Sequence, residues 1–129
     1  MRTIILCTLI LLLIAACSPS NTATSAEDLP SGDASSGVAL FRQSVDGAPA
    51  CSTCHTLDGS KLVGPSLQGY ADRAIMRVEG VSAEDYTHTS IVQPAAFVVE
   101  GYINAMFPQY ARHLSPQQTA DLIAYLLTL

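Results

Sequence analysis

The sequence predicts a small all-α domain of short helices joined by long loops. Three observations carry that expectation. Four stretches offer helical starts, and the last, residues 115–129, is well capped and apolar on one face. No stretch of any length alternates apolar and polar residues as a strand would. The chain has 129 residues, enough for one small domain plus extra segments.

The first extra segment is at the N-terminus. Residues 3–16, TIILCTLILLLIAA, form one apolar run behind Arg2. A positive residue, an apolar stretch and then small residues make the pattern of a secretory signal peptide, here 1–16. A retained membrane span is the alternative, but a span needs about 20 apolar residues and this run is shorter. The run ends in IAAC, at Cys17. This resembles the lipobox of bacterial lipoproteins, in which that cysteine is lipidated and becomes the first mature residue. Residues 18–36, SPSNTATSAEDLPSGDASS, are small and polar with almost no apolar content. They read as a flexible linker. The expected organisation is therefore a signal at 1–16, a lipidated N-terminus and linker at 17–35, and a domain at 36–129.

Within the domain, SSGVALFRQ offers Ser36 as a cap and places Leu40 and Phe41 on one apolar side. SLQGYADRA begins a short helix with Ser66 as the expected cap, weakened by Gly69. SAEDYTHTSIVQP starts at Ser82, has Asp85 three residues on, and stops before Pro94. SPQQTADLIAYLLTL has Ser115 as N-cap, Pro116 at the first helical position and Gln118 to complete a capping box. Leu122, Ile123, Leu126 and Leu129 follow at helical spacing. The loops at 55–65 and 94–114 are long for so small a domain. They need something to wrap around, and a large flat apolar cofactor would serve.

The chemistry concentrates in CSTCH, residues 51–55. Three chemistries use such a pattern. A structural zinc site needs four ligands, usually with a second Cys or His pair, and this chain has no second cysteine pair. A thioredoxin-like redox pair belongs beside a βαβ pattern, which a strand-poor chain does not offer. Covalent haem attachment uses C-x-x-C-H itself. Two thiols three apart reach the two vinyl-derived carbons on one edge of the macrocycle, and the histidine that follows lies under the iron. With Cys7 in the signal and Cys17 lipidated, Cys51 and Cys54 are the only cysteines left for this task.

The chain resembles the class I, monohaem c-type cytochromes. The resemblance runs through GVALF, CSTCH, VGPSLQGYADR, GYINAMFPQY and LSPQQTADLIAYLLTL, covering nearly all of residues 35–129. TSIVQPAAFVVEGYINAMFPQY looks especially like the monohaem domains serving terminal oxidases, such as the cytochrome domain of oxidase subunit II, and like the lipid-anchored monohaem subunit of alternative complex III. The resemblance implies a cytochrome c fold around one haem c, held by Cys51 and Cys54. It implies His55 as one axial iron ligand. It implies a distal methionine in a loop close before a proline, ahead of the last helix, and Met106 in NAMFP fits. The family more often has Met followed directly by Pro, whereas Phe107 intervenes here. It implies a proline carbonyl accepting a hydrogen bond from the proximal imidazole, and Pro65 in VGPSL is the matching position. Tyr102 and Asn104 are candidates to bond a propionate or the methionine sulfur. Phe41 and Tyr125 match the crossing pair of the first and last helices, a packing contact.

Other side chains compete for the sixth iron position. Met76 in RAIMRVEG reads as a core methionine, and His88 in DYTHTS as a solvated helix residue. His113 adjoins the ligand loop and stays a candidate.

Charge excludes one class of function. The formal net charge is −5, and removing Arg2 with the signal takes it to about −6. Nucleic acid wants a basic face, so it is not an expected partner. The expected function is electron transfer, not enzyme catalysis, in a respiratory or photosynthetic chain. Partners would be a quinol-oxidising complex as donor and a terminal oxidase or mobile carrier as acceptor. The expected location is the cell membrane, facing the periplasm or the extracellular side. The rivals are a peroxidase or gas sensor with an open sixth position, and a small lipoprotein with a CxxC disulfide.

Overall fold

The computed structural model describes residues 25–129. The signal peptide, Cys17 and the first part of the linker lie outside the described residues. Among those described there are five helices, α1 (Ala34–Arg42), α2 (Tyr70–Ala74), α3 (Ala83–Val92), α4 (Tyr110–His113) and α5 (Pro116–Leu126). Two 3₁₀ turns, Ala26–Asp28 and Cys51–Thr53, complete the regular structure. The one β feature among them is an isolated bridge between Val45 and Ala48. No helix among the described residues is long and apolar enough to cross a membrane.

The frame is the packing of α1 on α5. Phe41 meets Tyr125 edge-on, with ring centroids 5.7 Å apart at 64°. Phe41 and Leu122 are 2 % exposed and anchor a core that includes Leu40, Ile123 and Leu126. Gly37 permits the close approach. A Cβ at this position would lie 2.1 Å from the Asp121 carbonyl oxygen and 2.5 Å from the Tyr125 Cβ. Only a residue without a side chain leaves room for α5 there.

The caps of α3 and α5 form as the sequence predicts. Ser82 Oγ accepts from the Asp85 amide at 3.0 Å. Ser115 Oγ accepts from the Gln118 amide at 3.2 Å, and the Gln118 side chain accepts from the Ser115 amide at 2.9 Å. Two other caps differ from expectation. The first helix is capped by Asp33, not Ser36: the Asp33 carboxylate accepts from the Ser35 amide at 2.8 Å, and the Ser36 hydroxyl donates to it at 3.1 Å. An ionised side chain here is the stronger acceptor for the free amides of the first turn. The cap of α2 is Gly69, at φ 60°, and Ser66 lies upstream in the loop. Leu129 also falls outside its helix, because α5 ends at Leu126, although it still packs against the core.

The end of the presumed linker is a strap. The Ala26 amide donates to the Asp85 carboxylate at 3.1 Å, and the Asp33 amide to Asp121 at 2.8 Å. The Gln117 side chain donates to the Ser31 carbonyl at 2.9 Å. Leu29 packs on the core, and Gly32 lies so close to Ala120 that a Cβ would stand 2.2 Å from its carbonyl oxygen. Residues 25–33 therefore belong to the folded body. Their contacts are made by backbone groups and one leucine, which a polar composition conceals.

Candidate functional site

The α1–α5 crossing forms one side of a cleft of about 980 Å³, counting its open mouth, lined there by Phe41, Leu122 and Leu126. A second side comes from Tyr70, Tyr86, Thr87 and Ile91, on α2 and α3. The remaining sides are the two long loops. Cys51, Cys54, His55 and Gly64 enter from one, and Val98, Tyr102, Asn104 and Met106 from the other. The loops meet at Lys61 and Tyr102, whose ammonium and ring centroid are 6.0 Å apart.

The 3₁₀ turn places the CSTCH groups on the cleft. The amides of Cys54 and His55 both donate to the Cys51 carbonyl, at 3.1 and 3.0 Å. This tight turn folds the two thiols and the imidazole to one side of the backbone. The loop then doubles back, with the Gly64 amide donating to the Cys54 carbonyl at 2.8 Å and Leu67 to Thr56 at 2.8 Å. Arg73 pins the far end of the loop, donating to the carbonyls of Ser66, Gln68 and Gly69.

That return path brings the Pro65 carbonyl to His55, where it accepts from Nδ1 at 2.8 Å. The proton is thereby fixed on Nδ1, and Nε2 keeps its lone pair. Burial lowers the imidazole pKa, against the opposing pull of the Pro65 bond, so the ring is held neutral. Gly64 backs the ring closely. A Cβ there would stand 2.5 Å from Cε1 and 2.8 Å from Nδ1. The sequence pointed to Pro65 through the family resemblance but carried no signal for the Gly64 contact.

Cys51 and Cys54 are free and half-buried. Burial pushes the Cys51 thiol up to about 11. A redox-active pair needs the opposite, a thiol lowered towards neutrality. Zinc gains no support either, since no group of three or more His, Cys, Asp or Glu converges among the described residues.

The four candidates for the opposing iron position separate clearly. Met106 lines the cleft, and it alone of the four does so. Met76 is 74 % exposed beyond the end of α2, not a core residue as expected, because α2 stops after five residues and the chain turns outward. His88 is buried at 6 %, not solvated, since α3 is covered by neighbours on more than the cleft side. Burial lowers its pKa, while Asp85 pulls the other way. His113 Nδ1 is engaged elsewhere, donating to the Asp46 carbonyl at 2.7 Å. Tyr102 is half-buried and Asn104 exposed, both at the cleft.

One polar pair on the cleft had no sequence signal. The Tyr70 hydroxyl and Thr87 Oγ1 are 2.9 Å apart, and Thr87 also donates to the Ala83 carbonyl at 2.6 Å. Burial raises the Tyr70 pKa to about 12, so its hydroxyl stays protonated.

The residues on this cleft fit a flat macrocycle bound through two thioethers. The thiols are free, the imidazole offers an unprotonated nitrogen, Gly64 leaves it room, and the surrounding side chains are predominantly apolar. A sequence-family model described as Cytochrome c matches residues 34–129. Among curated proteins, none matches the chain.

Proposed function

The chain belongs to the cytochrome c family, and on that premise we propose that this electron-transfer haem protein is held at a membrane surface by a lipidated Cys17 and passes single electrons between membrane complexes. Its cofactor is haem c, bound covalently through Cys51 and Cys54. When bound, the haem supplies a one-electron couple between ferric and ferrous iron.

His55 and Met106 would hold the iron in this reading. The observation that carries it is that both side chains reach one cleft from separate loops, with the His55 ring set by the Pro65 carbonyl. Pro65 fixes the tautomer, and Gly64 keeps the ring upright. Met106 supplies a thioether, which favours the ferrous form more than a second imidazole does and so raises the potential. Tyr102 and Asn104, at the cleft, would hold the polar edge of the group. The apolar side chains around them exclude water. With both residues bound, the iron would have no open site, which suits electron transfer over substrate chemistry.

The setting follows from the N-terminal signal and Cys17. Export places the domain on the periplasmic or extracellular side. The donor is a quinol-oxidising complex and the acceptor a terminal oxidase or mobile carrier. The resemblance to the monohaem subunit of alternative complex III supports a role as a permanent subunit, and the weak interfaces of redox encounters support a free carrier.

The test is a visible spectrum of the mature chain made with a haem-attachment system, oxidised and reduced, before and after acid–acetone extraction. A sharp reduced α-band that survives extraction and ignores carbon monoxide supports six-coordinate covalent haem. A band that shifts with carbon monoxide replaces this reading with a gas sensor or peroxidase.

A further inference from the structure

Phe107 separates Met106 from Pro108, and no part of the site described above uses it. Its ring is nevertheless held by two others. Tyr110 meets it edge-on at 5.2 Å between centroids and 77°, and the His113 imidazole at 5.4 Å and 61°. Tyr110 and His113 are the first and last residues of α4. Both reach the same short turn. The Tyr110 hydroxyl donates to the Pro49 carbonyl at 2.8 Å, and His113 Nδ1 to the Asp46 carbonyl at 2.7 Å.

That turn is closed by its own backbone. Val45 and Ala48 exchange backbone hydrogen bonds at 3.1 and 2.8 Å, around Asp46 at φ 48° and Gly47 at φ 87°. It runs directly into Cys51. We propose that Phe107, Tyr110 and His113 form a clamp tying the Met106 loop to the segment that carries the haem thiols, which makes Tyr110 and His113 positioning residues for the distal ligand. The inference rests on reading Met106 as that ligand.

The clamp explains the extra residue. A loop with one more residue before its proline has more freedom to swing its methionine away. Phe107 converts that residue into an anchor, because its ring is packed against the core together with Met106. The His113 imidazole can donate from Nδ1 whether or not it is charged. Nδ1 carries a proton in the imidazolium and in one neutral tautomer, and the Asp46 carboxylate, 4.0 Å away, is compatible with both.

The experiment uses the holoprotein with Tyr110→Phe, His113→Phe and the two together. Each keeps an aromatic ring against Phe107 and removes one hydrogen bond to the turn. Phe107→Leu removes the ring contacts and leaves both bonds. Two quantities are read: the sulfur-to-ferric-iron charge-transfer band on warming, and the rate of carbon monoxide uptake by the ferrous protein. A net hydrogen bond corresponds to about a fivefold change in the loop-opening equilibrium. Tyr110→Phe and His113→Phe should therefore each take up carbon monoxide about fivefold faster, the double variant faster still and Phe107→Leu faster than wild type, and in all four the band should fade well below the melting temperature. A lower melting temperature with unchanged band and unchanged uptake in all variants would reduce the cluster to ordinary packing and overturn the proposal. The ligand reading fails separately, through a wild-type protein without the band or a Met106→Ala variant whose uptake matches wild type.

Discussion

At the scale of single residues, the site depends on what surrounds His55. The Pro65 carbonyl sets the direction of the ring, and Gly64 sets how close the backbone comes to it. Gly64→Ala adds a Cβ 2.5 Å from Cε1, nearer than any real contact, so the ring or the loop must move. The expected outcome is a lower yield of haem-loaded protein and a shifted potential in what is recovered. A variant with wild-type yield and potential would show that the loop yields freely at this point. Met106 carries a different expectation. Met106→Ala should open the site to carbon monoxide and lower the potential, because the thioether no longer favours ferrous iron. An unchanged potential on voltammetry would remove Met106 from the ligand set. His88 gives a pH dependence whose sign is fixed by burial. Its pKa is lowered in the folded chain from an ordinary 6.5, so the unfolded chain binds the proton more readily. Stability should fall as pH drops through and below that ordinary value. Melting temperatures measured between about pH 5 and 8 should rise with pH, and His88→Gln should flatten the slope. A slope that is the same with and without His88 would assign it to other groups.

At the scale of elements, the α1–α5 crossing supports the cleft floor, and Gly37 sets its depth. Gly37→Ala would drive a Cβ to 2.1 Å from a backbone oxygen of α5. Neither helix can yield without moving Phe41 or Leu122, both of which line the cleft. Overpacking of this kind costs about 1–3 kcal/mol, and denaturant unfolding of the holoprotein measures it. A cost near zero would mean that the helices separate easily. The same elements show what the sequence discloses. The Ser82 cap and the Ser115 capping box were legible because every participant lies within four residues. CSTCH was legible because its residues are contiguous, and Pro65 and Met106 were singled out only through a family pattern of loop positions. The Asp33 cap was hidden by reading residues 18–36 as linker, since a strap held by amides and carbonyls has no compositional signature. The burial of His88, the close contacts of Gly32, Gly37 and Gly64, and the Tyr70–Thr87 pair were illegible for one reason. Each depends on which distant segment comes to rest against it, and one sequence holds no pattern for that.

At the scale of the whole molecule, the question is how far the domain would stand from a bilayer if Cys17 carried a lipid. The strap places residues 25–33 on the folded body, so the chain between Cys17 and the domain is residues 18–24 and not the whole polar stretch. Fully extended, a segment of that length spans at most about 25 Å. With Cys17 lipidated, the cleft mouth would work within a thin layer above the bilayer, and encounter with membrane complexes becomes a problem of effective concentration more than of affinity. This separates the anchor from the redox site. Cys17→Ser should move the protein from the membrane fraction to the soluble one while leaving its reduced spectrum and potential as in wild type. Turnover of the membrane chain should fall, and adding the soluble variant in excess should restore it. Persistence of the variant in the membrane fraction would mean that a protein partner, not a lipid, holds the domain in place, and would favour a permanent subunit over a tethered carrier. A release that also altered the spectrum would tie the N-terminus to the haem site through the strap, since Asp33 and Asp121 connect that strap to the α1–α5 frame on which the cleft is built.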